Sequence, residues 1–279
     1  MRTPDRNGTA WVDGSLVPLQ QCTIAIDDPA VQAGLGLFET IALRAGQPLD
    51  LEPHVERLVR AAAVLDVALP PRPELKSMVL QTAAAQPAPF GWLKIVATRG
   101  GRCVAFTGEM DPQEAGCSVT AVLLPWRRNV HDAVCGLKTL NYAASVLGAE
   151  EARRRGADEG IWLNTRGHLA EGSTSNLFVV NRRKLFTPGT RDGILAGVVR
   201  DLTLRAARGL SLPVYEGKVR LRRLERADEA FLTSSLRGIR PLIEFQGRPV
   251  GDGKPGRITR ALAEAVERLR AKSLQRLNR

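Results

Sequence analysis

Residues 136–148 read GLKTLNYAASVLG, and the setting of Lys138 within them decides how the rest of the chain is read. The protein has 279 residues and only seven lysines among its 40 basic side chains, so a lysine in an unusual place stands out. Lys138 lies between short apolar segments and just ahead of a helix-forming run. Most lysines at such junctions are solvated. A desolvated one is a poor ammonium, so its pKa falls and its amine becomes able to form a Schiff base with a carbonyl.

Downstream, SVLGAEEARRRG (145–156) has helical character, with Gly156 as its stop. EGIWLNT (159–165) and SNLFVVNRRKLFTPG (175–189) are strand-like, and RGHLAEGSTS between them puts Glu171 at a strand–turn–strand junction. ILAGVVRDLTLRAARGL (194–210) is expected to open a helix after a glycine, leaving the amides of Ile194 and Leu195 to hold a phosphate. EAFLTSS (229–235) is a further strand that presents Thr233, Ser234 and Ser235 at its end. The tail from Ile258 to Leu277 is a basic amphipathic helix.

Upstream, FETIALRAG (38–46) is a strand running into a glycine-containing turn. LEPHVERLVRAAAVLDV (51–67) places Val55, Leu58, Val59, Ala62 and Leu65 on one helical face, with His54 and Arg57 at i and i+3. A second helix is expected over 73–85. Strands follow over GWLKIVATRGG (91–101) and CSVTAVLLPW (117–126), the latter ended by Pro125. Mixed α/β character on both sides of a boundary near residue 122 divides the chain into 1–122 and 123–279.

The net charge of +11 comes mostly from arginine. The basic runs at 153–155 and 218–226 have apolar neighbours and no interleaved aromatic residues for stacking, which argues against a nucleic-acid partner. Cys22, Cys103, Cys117 and Cys135 have no CxxC spacing and histidines number three, so neither a metal site nor a disulfide framework is expected. No apolar run approaches the roughly 18–20 residues that span a membrane, and residues 1–14 lack a signal-peptide core. The expected setting is the reduced cytoplasm.

Taken together and in order, GLGLFET (34–40), PHVERL (53–58), GLKTLNY (136–142), EGSTSNLF (171–178), DGILAG (192–197) and FLTSSLRGIRPL (231–242) resemble the class IV aminotransferase family, the fold-type IV pyridoxal-phosphate enzymes. The resemblance implies a small N-terminal α/β domain, a larger C-terminal α/β domain with a barrel-like sheet, and a homodimer. It identifies Lys138 as the lysine that joins pyridoxal 5'-phosphate, and Glu171 as the carboxylate paired with the ring nitrogen. Arg57, the amides of Ile194 and Leu195, and the hydroxyl of Ser235 or Ser234 would hold the phosphate. Tyr142 would lie against the ring 3-oxygen.

Within the family, KTLNY and SLRGIRPL look most like aminodeoxychorismate lyases, which release pyruvate and 4-aminobenzoate for folate synthesis. The alternative is a branched-chain or D-amino-acid aminotransferase, with which Phe38, Thr40 and Tyr142 are equally compatible. Phe38 and Thr40 are expected to face the substrate. Arg99 and Arg102 in TRGGR have two readings, a carboxylate-binding fork and a solvated hairpin tip.

Overall fold

Alternation along GLFETIALR organises the first sheet. In the computed structural model, which describes residues 8–85 and 88–277, this segment forms strand β3 (Gly36–Arg44). Around it are β1 (Thr9–Val12), β2 (Ser15–Pro18), β4 (Gln47–Pro48), β5 (Phe90–Thr98) and β6 (Cys103–Glu109), with every neighbouring pair antiparallel in the order β2-β1-β6-β5-β3-β4. Successive residues of a strand project to opposite faces. Leu37, Ile41 and Leu43 therefore meet Val55 and Leu58 of α2 (Leu51–Leu65) and Leu75 and Met78 of α3 (Arg72–Ala84), in one apolar cluster. Phe38 faces the other way, with Val96, Val104, Leu140 and Tyr142.

The chain divides into two units. One comprises residues up to 112, residues 137–142 and the chain from 270 onward; the other comprises 113–136 and 143–269. In the first, the short segment 137–142 lies along the edge of β3: the Phe38 amide donates to the Lys138 carbonyl (3.0 Å) and the Leu140 amide to the Gly36 carbonyl (2.8 Å). Gly36 allows this approach, because a Cβ there would stand 2.6 Å from Leu140 Cδ1 and 2.8 Å from the Ala97 carbonyl. Asp50, ahead of α2, accepts an ion pair from Arg270 (3.0 Å), both side chains being buried.

The second unit holds a mixed sheet in the order β12-β11-β10-β13-β14-β7-β8-β9, with β15 beside β14. Its strands are β7 (Val119–Arg128), β8 (Glu159–Asn164), β9 (Leu169–Gly172), β10 (Asn176–Asn181), β11 (Lys184–Thr187), β12 (Val214–Glu216), β13 (Glu229–Ser234), β14 (Gly238–Phe245) and β15 (Arg248–Pro249). α5 (Val198–Gly209) and the first turns of α7 (Arg257–Leu277) cover one face, where Phe178 and Phe231 stack at 4.9 Å. A second apolar cluster, including Leu169, Leu177, Leu232 and Leu242, fills the other. α4 (Ala143–Arg154) and α6 (Leu221–Glu225) complete the unit; Gly156 follows α4 in the left-handed region (φ 73°).

Two local readings change. β7 continues through Pro125 to Arg128, because its ladder to β8 shifts register between Leu123 and Arg127 and asks no N–H of the proline. The run 175–189 is two strands. Arg182 and Arg183 both take positive φ (48° and 59°), the geometry of a tight hairpin turn, without the Asn-Gly signal that usually announces one.

Candidate active site

Register brings several of the expected residues onto one face of the first sheet. Lys138 lies opposite Phe38, and its Nζ stands 4.2 Å from the Phe38 ring centre and 5.3 Å from that of Tyr142. The two rings meet edge to face at 5.0 Å. Thr40 projects to the same face, two residues on from Phe38. Its cross-strand partner is Lys94, whose Nζ is 4.8 Å from the Phe38 ring centre. Burial pushes the Lys94 ammonium below its ordinary pKa. Lys94 was not singled out from sequence, since GWLKIVAT reads as an ordinary strand with one lysine.

On the opposite face, Arg57 is held by Glu39. Arg57 Nε and Nη2 donate to the two carboxylate oxygens at 2.7 Å each, and His54 Nδ1 lies 2.7 Å from Glu39 Oε2. Glu39 and His54 are both 1% exposed. Burial works to raise the Glu39 carboxyl, but the Arg57 charge and then His54 overcome it and hold the group well below the usual carboxylate range. Burial also lowers His54, outweighing the pull of Glu39, so its imidazole stays neutral and donates from Nδ1. Arg57 thus has a carboxylate partner that spacing alone did not show.

Arg99 and Arg102 lie on the hairpin tip, paired with Asp66 (3.4 Å) and Asp13 respectively. Asp28 secures the base of that loop: it accepts from Thr98 Oγ1 (2.6 Å) and from the Ala30 amide (2.8 Å) at the start of α1 (Pro29–Ala33).

In the second unit, three donors orient Glu171. Arg128 Nη2 reaches Oε1 (3.0 Å), while Asn176 Nδ2 (3.2 Å) and the Leu195 amide (2.9 Å) reach Oε2. This changes the reading of Ile194 and Leu195. The helix starts four residues later than expected, at Val198 with Gly197 as N-cap, and the Leu195 amide serves Glu171 instead. The amides without an intrahelical acceptor are those of Val198, Val199 and Arg200.

β13 ends beside this helix start. Thr233 pairs with Asn176, and a Cβ on Gly197 would fall on Asn176 Oδ1. Thr233 Oγ1 is buried with no hydrogen-bond partner; Ser234 and Ser235 follow it, half-buried. Glu159, also unnoticed in the sequence, is 2% exposed and ties down the turn after Glu171 by accepting from the Ser173 amide (3.0 Å) and Ser175 Oγ (3.0 Å). Gly197→Ala should therefore crowd Asn176 and cost roughly 1–3 kcal/mol of stability. Urea unfolding checks this, and a variant as stable as its parent contradicts the crowding.

Among the described residues no group of three or more His, Cys, Asp or Glu side chains is arranged to hold a metal ion. No described helix is long and apolar enough to cross a membrane.

The class IV amino-transferase family model matches residues 36–245, from the start of β3 to the end of β14. A putative branched-chain-amino-acid aminotransferase of Methanocaldococcus jannaschii is 29% identical over 281 residues, covering 94% of this chain and 96% of that one. A D-alanine aminotransferase of Listeria monocytogenes is 28% identical, covering 90% and 92%. Among solved structures, a branched-chain aminotransferase from Thermoproteus uzoniensis superposes with a TM-score of 0.87 at 30% identity, covering 94% of each chain. A putative 4-amino-4-deoxychorismate lyase from Legionella pneumophila gives 0.81 at 25%, covering 89% of this chain and 96% of that one. A further branched-chain amino acid aminotransferase, complexed with N-(5'-phosphopyridoxyl)-L-glutamate, gives 0.85 at 25%, covering 94% and 93%. The two-unit α/β architecture is that of fold-type IV, and the chain belongs to the class IV aminotransferases, enzymes that work with pyridoxal phosphate.

Proposed function

We propose that the protein is a transaminase that moves the amino group of an aliphatic α-amino acid to a 2-oxo acid, with Lys138 carrying the cofactor. The observation that carries the reading is the Lys138 amine set against Phe38 and Tyr142, on a face that also bears Lys94 and Thr40. The branched-chain and D-alanine aminotransferases among its relatives support amino-group transfer over elimination.

The second unit's residues fit pyridoxal phosphate. Glu171, oriented by three donors, suits a protonated ring nitrogen. The Val198 and Val199 amides, with Ser235 and the unpartnered Thr233 hydroxyl, suit the phosphate. When bound, the cofactor supplies an electron sink for the charge left as the substrate Cα loses its proton. Lys138 would hold the cofactor and, as a free amine, take the substrate Cα proton as general base. Glu171 would keep a proton on the ring nitrogen. Phe38 and Tyr142 pack their rings beside the half-buried lysine, and Lys94 would place a positive charge where a substrate carboxylate gains from it.

Purified holoenzyme offered a panel of L- and D-amino acids with 2-oxoglutarate should form glutamate and the matching 2-oxo acid from at least one aliphatic member. No transfer from any member overturns the reading. The Legionella structure favours a second reading, aminodeoxychorismate lyase, which the same preparation tests by release of 4-aminobenzoate and pyruvate.

A further inference from the structure

The basic run 218–226 carries no aromatic residue of its own, but the fold of the second unit brings two aromatic rings to it from neighbouring strands. Parallel pairing sets Phe186 of β11 beside Tyr215 of β12, with ring centres 5.8 Å apart. The Arg223 guanidinium, on α6, stands 3.8 Å from the Phe186 ring centre. Lys184 Nζ lies 5.5 Å from the Phe186 ring centre and 5.9 Å from that of Tyr215. A Cβ on Gly217 would stand 3.0 Å from the Tyr215 hydroxyl oxygen, so the polar end of that ring reaches the residue before Lys218. Arg220, immediately ahead of α6, is one helical turn from Arg223.

The four cations gathered here are uncommitted. Among the described residues, none of Lys184, Lys218, Arg220 and Arg223 forms an ion pair, whereas Arg99, Arg102, Arg154 and Arg237 each meet a carboxylate. Glu216, beside Tyr215 in the chain, is taken by Arg200 (2.9 Å) and Arg208 (3.9 Å). Glu225 lies two residues past Arg223 and so on a different side of α6. Lys184, Lys218 and Arg220 are exposed, Arg223 is half-buried over the buried Phe186, and Tyr215 keeps 41% of its surface open. Unpaired cations attract an anion, and the two flat groups among them, the Tyr215 ring and the Arg223 guanidinium, suit a planar one. Phosphates alternating with bases meet both conditions, and a single strand leaves its base faces open to stack. A lipid surface calls instead for exposed apolar side chains beside the cations, and Phe186, Val219 and Leu224 are buried.

We propose that the surface formed by β11, β12 and α6 binds single-stranded nucleic acid, with Lys184, Lys218, Arg220 and Arg223 holding phosphates and Tyr215 stacking on a base. None of these residues belongs to the groups assigned to pyridoxal phosphate, so this property stands apart from amino-group transfer.

The experiment follows the fluorescence anisotropy of fluorescein-labelled oligo(dT) as holoenzyme is added. Binding should weaken with added KCl along a log–log slope of about −3, as four phosphate contacts at roughly 0.7 each require. Tyr215→Ala should weaken it by at least about 5-fold, the smallest loss expected for stacking on one base, and Tyr215→Phe should restore it. Lys184→Gln combined with Lys218→Gln should roughly halve the salt slope, and both side chains are exposed, so the fold does not depend on them. Arg153→Gln combined with Arg154→Gln, in the other basic run, should change neither affinity nor slope. Absorbance of the bound cofactor should match wild type throughout. No binding of oligo(dT) overturns the proposal. The same loss from the arginine pair as from the lysine pair would reduce the effect to the charge of the whole chain and overturns it too. So does unchanged affinity in Tyr215→Ala, or duplex DNA bound as tightly as the single strand, either of which leaves no role for stacking. Binding to phosphatidylserine vesicles but not to oligo(dT) would give the surface to a membrane instead.

Discussion

Lys138→Ala should give a protein that folds, remains colourless when pyridoxal phosphate is added and dialysed away, and transfers amino groups at least 10⁴-fold more slowly than wild type. General acid–base catalysis by one positioned side chain is worth about 10²–10⁴, and here the same side chain also anchors the cofactor covalently. Its surroundings explain why no neighbour should replace it. Lys94 is nearby, but it shares only the Phe38 ring and is fixed on β5 by pairing with Thr40 and Phe106. Lys94→Met should keep the yellow absorbance of the lysine-bound cofactor and show its deficit in KM for carboxylate substrates. A yellow, active Lys138→Ala enzyme would sink the assignment of Lys138. Circular dichroism controls for folding, since the segment's backbone bonds to Gly36 and Phe38 do not involve the side chain.

The largest expected loss of stability is at Glu39. Glu39→Gln removes the carboxylate charge that faces the buried Arg57 guanidinium, and breaking a buried pair in this way costs about 3–5 kcal/mol. Urea denaturation at neutral pH should show it. The pH dependence of wild type carries the same signature. His54 is held neutral in the fold, so acid favours the unfolded chain once pH drops below the ordinary histidine value of about 6.5. Glu39 is held ionised, so its contribution is complete above the ordinary glutamate value of about 4.3 and is lost as pH falls further. Stability should therefore decline with acid in two stages, and Glu39→Gln should lack the second. A variant that keeps both the neutral-pH stability and the acid profile of wild type would show that Arg57 finds compensation elsewhere.

Periodicity made the longer amphipathic helices legible: Val55, Leu58 and Ala62 announce α2 as clearly in the sequence as in the core, whereas the five-residue α1 buries no side chain and gives no such signal. The strand carrying Phe38 was legible for the same reason, and motif order led to the family. What escaped notice depends on register or on pairing across long sequence distances. Glu39 reads as one polar residue in a strand until alternation turns it toward Arg57, 18 residues on. Lys94 gains meaning only when β5 sets it opposite Thr40. The start of α5 was misplaced because Gly193 looks like a natural helix boundary, whereas the chain first makes a 3-10 turn at Thr190–Asp192 and Gly197 provides the cap.

The edge segment at 137–142 and the Arg270–Asp50 pair have a consequence for how the polypeptide is made. Both complete the first unit with residues far downstream of its sheet. Chains emerge from the ribosome at about 5–20 residues per second, and N-terminal units commonly fold as they emerge. Here the β3 edge stays uncovered until Leu140 has been added, and Asp50 waits for its cation until Arg270 has been added, 220 residues on. The lysine assigned to the cofactor therefore reaches β3 only after the strand it docks against has been waiting for about a hundred residues of synthesis, as the spacing between Phe38 and Lys138 dictates.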